Sequence, residues 1–137
     1  MWGGSMRVNV STDYALRLVM ELGRAAPSRL TARELHARQG LSEKLVQHAL
    51  TALVAAGIVD SRRGTHGGST LARSPADITV AQVIAATYAP VLLVAKRAPH
   101  GTSYPGAAAG LAHYWRSLEQ DLEAILSATT LEQLLSL

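Results

Sequence analysis

Apolar side chains recur along the chain at intervals of three and four, the spacing of a helix with one buried face. Tyr14, Leu18 and Leu22 fall at i, i+4 and i+8, with Ala15 and Val19 beside them. They predict a first helix, capped by Ser11 and closed by Gly23, Pro27 and Ser28. Thr31 and Glu34 then form a T-x-x-E capping box, with Leu30 and Leu35 at the hydrophobic-staple positions. A short helix over about Ala32 to Arg38 follows, and Gly40 supplies a tight turn. Ser42 caps a third helix. Its apolar stripe is Val46, Ala49, Leu50, Leu53 and Val54, and Gly57 ends it.

The opposite side of that third helix carries Lys44, Gln47, His48 and Thr51. All four can hydrogen-bond and none is an acid. Next come the β-type run "IVDSR", the tip "RGTHGG" and the run "STLAR", which predict a two-stranded hairpin with a long, glycine-rich tip. Two short helices, a glycine turn and a basic hairpin make a winged helix-turn-helix order. An ordinary solvated turn is the competing reading of the hairpin alone.

In the second half, Thr79 and Gln82 form another capping box, with Ile78 and Val83 as its staple. A helix over about Val80 to Thr87 follows. Three prolines, Pro90, Pro99 and Pro105, interrupt the next segment, and "VLLVA" within it reads equally as a buried strand or a helical turn. From about Ala107 the periodicity returns. Leu111, Trp115, Leu118, Leu122 and Ile125 are spaced 4, 3, 4, 3, the seam of a helix that packs lengthwise on a partner. It reads as a dimer helix, with an intramolecular core helix as the alternative. Thr130 and Gln133 start a short terminal helix.

The predicted fold is therefore mostly α with a small β-hairpin wing: a winged helix-turn-helix plus a long C-terminal dimerisation helix. Residues 6–74 form the DNA-binding unit. Residues 75–137 form a helical linker, a variable effector segment (88–106) and the dimerisation helix. Residues 1–5, "MWGGS", precede a second methionine and read as a leader left over from expression.

Composition narrows the function. At 137 residues the chain is one domain in size, and 48% hydrophobic content excludes a disordered tail. No apolar run approaches the ~20 residues that span a bilayer, so a cytoplasmic protein without a membrane partner is expected. There is no cysteine, which removes disulfides, thiol catalysis and cysteine-ligated metal. Net charge is +3, unevenly placed: residues 6–73 carry ten Lys/Arg against five Asp/Glu, and residues 74–137 three against five. A basic front half suits a polyanion, although ordinary solvation also fits.

The chemistry of the outer face agrees with DNA. Lysine matches guanine and glutamine matches adenine in the major groove. In the wing, Arg62 and Arg63 supply charge, and His66 adds a donor or acceptor. Gly64, Gly67 and Gly68 let the backbone approach a sugar-phosphate chain. An enzyme is disfavoured: no nucleophile elbow, phosphate loop or paired carboxylates occur. His100, Tyr104 and His113 are candidate effector residues in or beside the variable segment, against a reading as plain surface residues. They lack metal-ligand spacing, so no metal site is expected. A small molecule or protein bound near "VLLVA" is the other effector reading.

The frame "ARQGLSEKLVQ…L…L…AGIV.S.RG..GG..LAR…ITV..VI", with "MRVNVSTDYALRLVMELG" before it and "HYWRSLEQDLEAILSATTLEQLL" after it, resembles the Rrf-type regulators. These are the bacterial winged-helix family that includes IscR, NsrR and CymR. The resemblance covers nearly the whole chain from Met6. It implies a homodimeric transcription regulator, most simply a repressor, on a pseudo-palindromic double-stranded operator. By position, Ser42, Lys44, Gln47, His48 and Thr51 belong to the recognition helix. Arg63, Gly64, Gly67 and Gly68 match the wing, and Arg7, Asn9 and Ser11 match an N-terminal segment that touches the DNA backbone. Thr65, His66 and Ser69 depart from the family's usual wing. Many members hold an iron–sulfur cluster through cysteines before the long helix. The matching segment here, "APHGTSYPGAAAGLAH", has none, so no such cofactor is expected. The rival function is a winged-helix module for protein–protein contact without DNA.

Overall fold

A computed structural model describes residues 7–137. Residues 1–5, expected to be a leader, lie outside the described residues. Among the described residues, six α-helices and one hairpin run in the order α1 (Val10–Ala25), α2 (Ala32–Gln39), α3 (Glu43–Ala55), β1 (Val59–Arg62), β2 (Gly68–Leu71), α4 (Val80–Ala86), α5 (Leu111–Ala128) and α6 (Leu131–Leu135). The architecture is the winged helix-turn-helix with a long C-terminal helix.

The expected caps form. Thr31 Oγ1 accepts the Glu34 N–H at 3.1 Å while Glu34 Oε2 accepts the Thr31 N–H at 2.8 Å, closing the box that starts α2. Equivalent boxes start α4 at Thr79 and α6 at Thr130. Gly40 ends α2 in the left-handed region, and Ser42 Oγ accepts the Leu45 N–H at 3.2 Å to start α3.

Five expectations need correction. Asn9, not Ser11, caps α1: its Oδ1 accepts the Ser11 N–H at 2.8 Å, which leaves Ser11 in the first turn. Gly23 does not close α1 but lies inside it. A Cβ there would sit 2.9 Å from Leu135 Cδ1, so the glycine lets α6 approach α1. Val54 is 42% exposed and falls outside the buried stripe of Val46, Leu50 and Leu53. The segment "VLLVA" is neither strand nor helix. It enters a tight turn in which Val94 and Arg97 exchange backbone hydrogen bonds, with Ala95 and Lys96 at positive φ. The long helix also begins later than expected, at Leu111, after a 3-10 turn over Gly106–Ala108.

One core joins both halves of the chain. Leu18 and Leu22 of α1, Leu35 of α2, Leu53 of α3, Val83 of α4 and Leu131 of α6 are fully buried in it. Backbone bonds tie the starts of α4 and α6 together: Val80 N–H donates to Thr129 O at 2.9 Å and Leu131 N–H to Ile78 O at 2.9 Å. Helix α5 stands apart, packed mainly on α4 and the 3-10 turn at Pro99–Gly101, and none of its 18 residues is buried.

Candidate nucleic-acid interface

The turn between α2 and α3 is locked to α1. Arg17 donates from Nε to Gln39 Oε1 at 2.9 Å and also bonds Gln39 O, while Gln39 Nε2 donates to Glu21 Oε1 at 2.7 Å. His36 Nδ1 and Leu41 O close the turn itself. These contacts hold α3 at a set angle, with Val46, Leu50 and Leu53 buried behind it. Lys44, Gln47, His48 and Thr51 are exposed, as the periodicity predicts.

The exposed side chains divide into two groups. Gln47 opens onto a 420 Å³ cleft whose other wall is the wing, including Ser61, Arg62, Arg63 and Gly64. His48 instead lines a smaller 110 Å³ hollow with Val10, Ser11 and Tyr14 of α1. Thr51 donates its hydroxyl to Gln47 O at 2.9 Å, so it keeps only acceptor capacity for a ligand. Ser42 and Asn9 are engaged in capping. Arg7 is exposed and lines a 660 Å³ cavity with Val8, Val10, Val91, Leu92 and Lys96. That cavity joins the N-terminal segment to the "VLLVA" run.

The wing pairs Val59 with Leu71 and Arg62 with Gly68, and the Ser61 and Ser69 hydroxyls bond at 2.7 Å across it. Arg63, Gly64 and His66 are exposed at the tip. Two of its glycines have an internal reason to be glycine. A Cβ on Gly67 would lie 2.5 Å from Arg62 O and 2.8 Å from Gly64 O. Gly68 has φ +117° and would bring a Cβ within 2.9 Å of Leu30 O. There Leu30 exchanges backbone hydrogen bonds of 3.0 and 2.7 Å with Ser69, extending the two-stranded hairpin by one short bridge.

Sequence reasoning missed Arg29. Its Nη2 donates to Asp60 Oδ2 at 2.6 Å, and its Nη1 to Asp60 O at 3.3 Å and Gly68 O at 3.1 Å. Arg62 Nε is 3.8 Å from the same carboxylate. The Arg29 hydrogen bond, opposed by partial desolvation and reinforced by the charges of Arg29 and Arg62, holds the Asp60 carboxyl below its ordinary 3.8. The acid lies 31 residues along the chain from Arg29, so no local motif signals the pair.

The effector candidates sit in different surroundings. Tyr104 OH accepts the Trp115 Nε1–H at 3.1 Å and is half-buried, whereas His100 and His113 are exposed. Trp115 therefore engages the segment before α5. Of the predicted seam residues, Leu111 is 40% and Ile125 63% exposed, while Trp115, Leu118 and Leu122 are half-buried.

A capped helix-turn-helix with a basic wing beside its second helix defines the class: a winged-helix DNA-binding transcription regulator. The comparisons narrow this. Residues 8–136 match the Rrf2 family, described as "Iron-dependent Transcriptional regulator", and the chain belongs to that family. It is 31% identical over 127 residues to a Mycobacterium tuberculosis H37Rv protein named as an HTH-type transcriptional regulator, covering 92% of this chain and 79% of that one. A transcriptional regulator of Listeria innocua superposes with a TM-score of 0.81 at 27% identity, over 98% of this chain and 90% of that one. CymR of B. subtilis, the global cysteine regulator, shares the fold at a TM-score of 0.78 and 24% identity, over 96% and 98%.

The family description invites a test for iron. The chain offers no thiolate, and among the described residues no three His, Cys, Asp or Glu side chains gather where they could hold a metal. The donor set does not fit a cysteine-ligated cluster. Nor, among the described residues, is any helix long and apolar enough to cross a membrane.

Proposed function

We propose that the protein is a homodimeric, sequence-specific repressor that works without a cysteine-ligated iron–sulfur cluster. Lys44, Gln47 and His48 read base edges in the major groove, and Arg63 enters the neighbouring minor groove. Arg62, Arg7 and Ser11 contact phosphates. The observation that carries this reading is the shared cleft, in which Gln47 and the wing arginines face the same space. A major groove admits α3, and the wing then lies against the flanking backbone.

The dimer reading rests on α5. An 18-residue helix with no buried residue leaves Leu111, Trp115, Leu118, Leu122 and Ile125 without a full cover. A second copy supplies an identical seam and places two α3 helices on a pseudo-palindromic site. Repression then follows from occupancy, since a bound dimer excludes polymerase from the same DNA.

Selection of bound fragments from sheared source-genome DNA, at two salt concentrations, tests the reading. One pseudo-palindromic motif recovered at the higher salt is the expected result. Uniform binding that vanishes with salt refutes base reading, because backbone electrostatics alone behaves so. Absence of binding even at low salt favours the protein–protein module. Recovery of the same motif in the presence of an iron chelator is expected of a cluster-free regulator.

A further inference from the structure

The wing contains an acid, Asp60, on the strand that carries the phosphate-binding arginine of the reading above. An unpaired carboxylate there repels a phosphate and also captures Arg62, whose Nε is 3.8 Å away. The structure removes both problems with one side chain. Arg29 leaves the short segment bridged to β2, passes the glycine at position 68, and meets Asp60 on β1. Its side chain is 18% exposed, against 70% for Arg62. The nearer cation thus occupies the carboxylate, and the farther one stays open to solvent.

We propose that Arg29 is a positioning residue for DNA binding: it ties the two wing strands together and neutralises Asp60, which leaves Arg62 free for phosphate. This rests on the DNA-binding reading. One feature makes the role more than a surface ion pair: Arg29 bonds carbonyls of both strands as well as the acid, which a lone charge pair would not do.

A double-mutant cycle on duplex DNA of the selected sequence tests this, with affinity and its salt dependence measured for the wild type, Arg29→Ala, Asp60→Ala and the double variant. Arg29→Ala is expected to weaken binding about tenfold and lower the salt slope by about one, the signature of one lost phosphate contact. Asp60→Ala alone is expected to bind at least as well as the wild type. The double variant is expected to return to within about threefold of the wild type and to recover the slope, because Arg62 is free again. A double variant as weak as Arg29→Ala overturns the proposal, since a purely structural clamp or a direct Arg29–phosphate contact gives that result. Unchanged binding by Arg29→Ala also overturns it. Circular dichroism shows whether each variant is folded, and Arg29→Lys, which keeps the charge, is expected to recover the salt slope. Failure of the wild type to bind any duplex would overturn the DNA reading, and this role with it. Wild-type binding with additive losses would overturn this role alone.

Discussion

Replacing Gly68 by alanine tests whether the wing glycines are required by the fold itself. At φ +117° an L side chain is strained, and the new Cβ would lie 2.9 Å from Leu30 O and 3.0 Å from Leu30 C. The chain has two ways to respond. It can keep the geometry and carry backbone strain of roughly 1–3 kcal/mol. It can instead release the Leu30–Ser69 bridge, whose two backbone bonds are 3.0 and 2.7 Å long, at roughly 0.5–1.5 kcal/mol each. Both routes cost about 2 kcal/mol, so a loss of that size is expected whichever one is taken. Leu30 is only 4% exposed and belongs to the core, so release of the bridge also loosens the core there. Denaturant unfolding measures the loss. Gly101→Ala is the control: a Cβ there meets nothing within 4 Å, and a change within about 0.5 kcal/mol is expected. If Gly68→Ala falls within the same 0.5 kcal/mol, the internal argument is refuted, and close approach to DNA becomes the remaining reason for the glycine.

Gln47→Ala should cost about 1–3 kcal/mol on the selected operator and little on random duplex, measured by competition binding; equal losses on both would remove its base-reading role. Arg62→Ala should weaken both DNAs alike and lower the salt slope by about 0.9, read from affinities at several salt concentrations. The Asp60 carboxyl is held below its ordinary 3.8 in the folded protein, so its contribution to stability is present above that value and lost as pH falls through the lower, folded one. Asp60→Asn should therefore flatten the acid limb of the stability profile relative to wild type. Leu122→Glu places a charge in the α5 seam and should convert a dimer to monomer in sedimentation, with unfolding behaviour showing that the monomer stays folded.

Local signals along the chain specify where several helices start. Each capping box joins residues three apart, as at Thr31 with Glu34, Thr79 with Gln82 and Thr130 with Gln133, so its partners are visible side by side. The buried stripe of α3 and the hairpin after it are legible for the same reason, since their periods lie within a few turns or a few residues. Ser11 was misread because Asn9, two residues earlier, is an equally good cap, and local rules do not rank the two. Features that depend on distant partners emerge only once the chain is folded. Gly23 lies within a helix, with the Leu135 side chain packed where its Cβ would be. Gln47 and His48, adjacent in sequence, face different hollows because the wing lies on one side of α3 and α1 on the other. Arg29 finds Asp60 because the chain returns through the hairpin 31 residues later, and no periodicity or motif encodes that meeting.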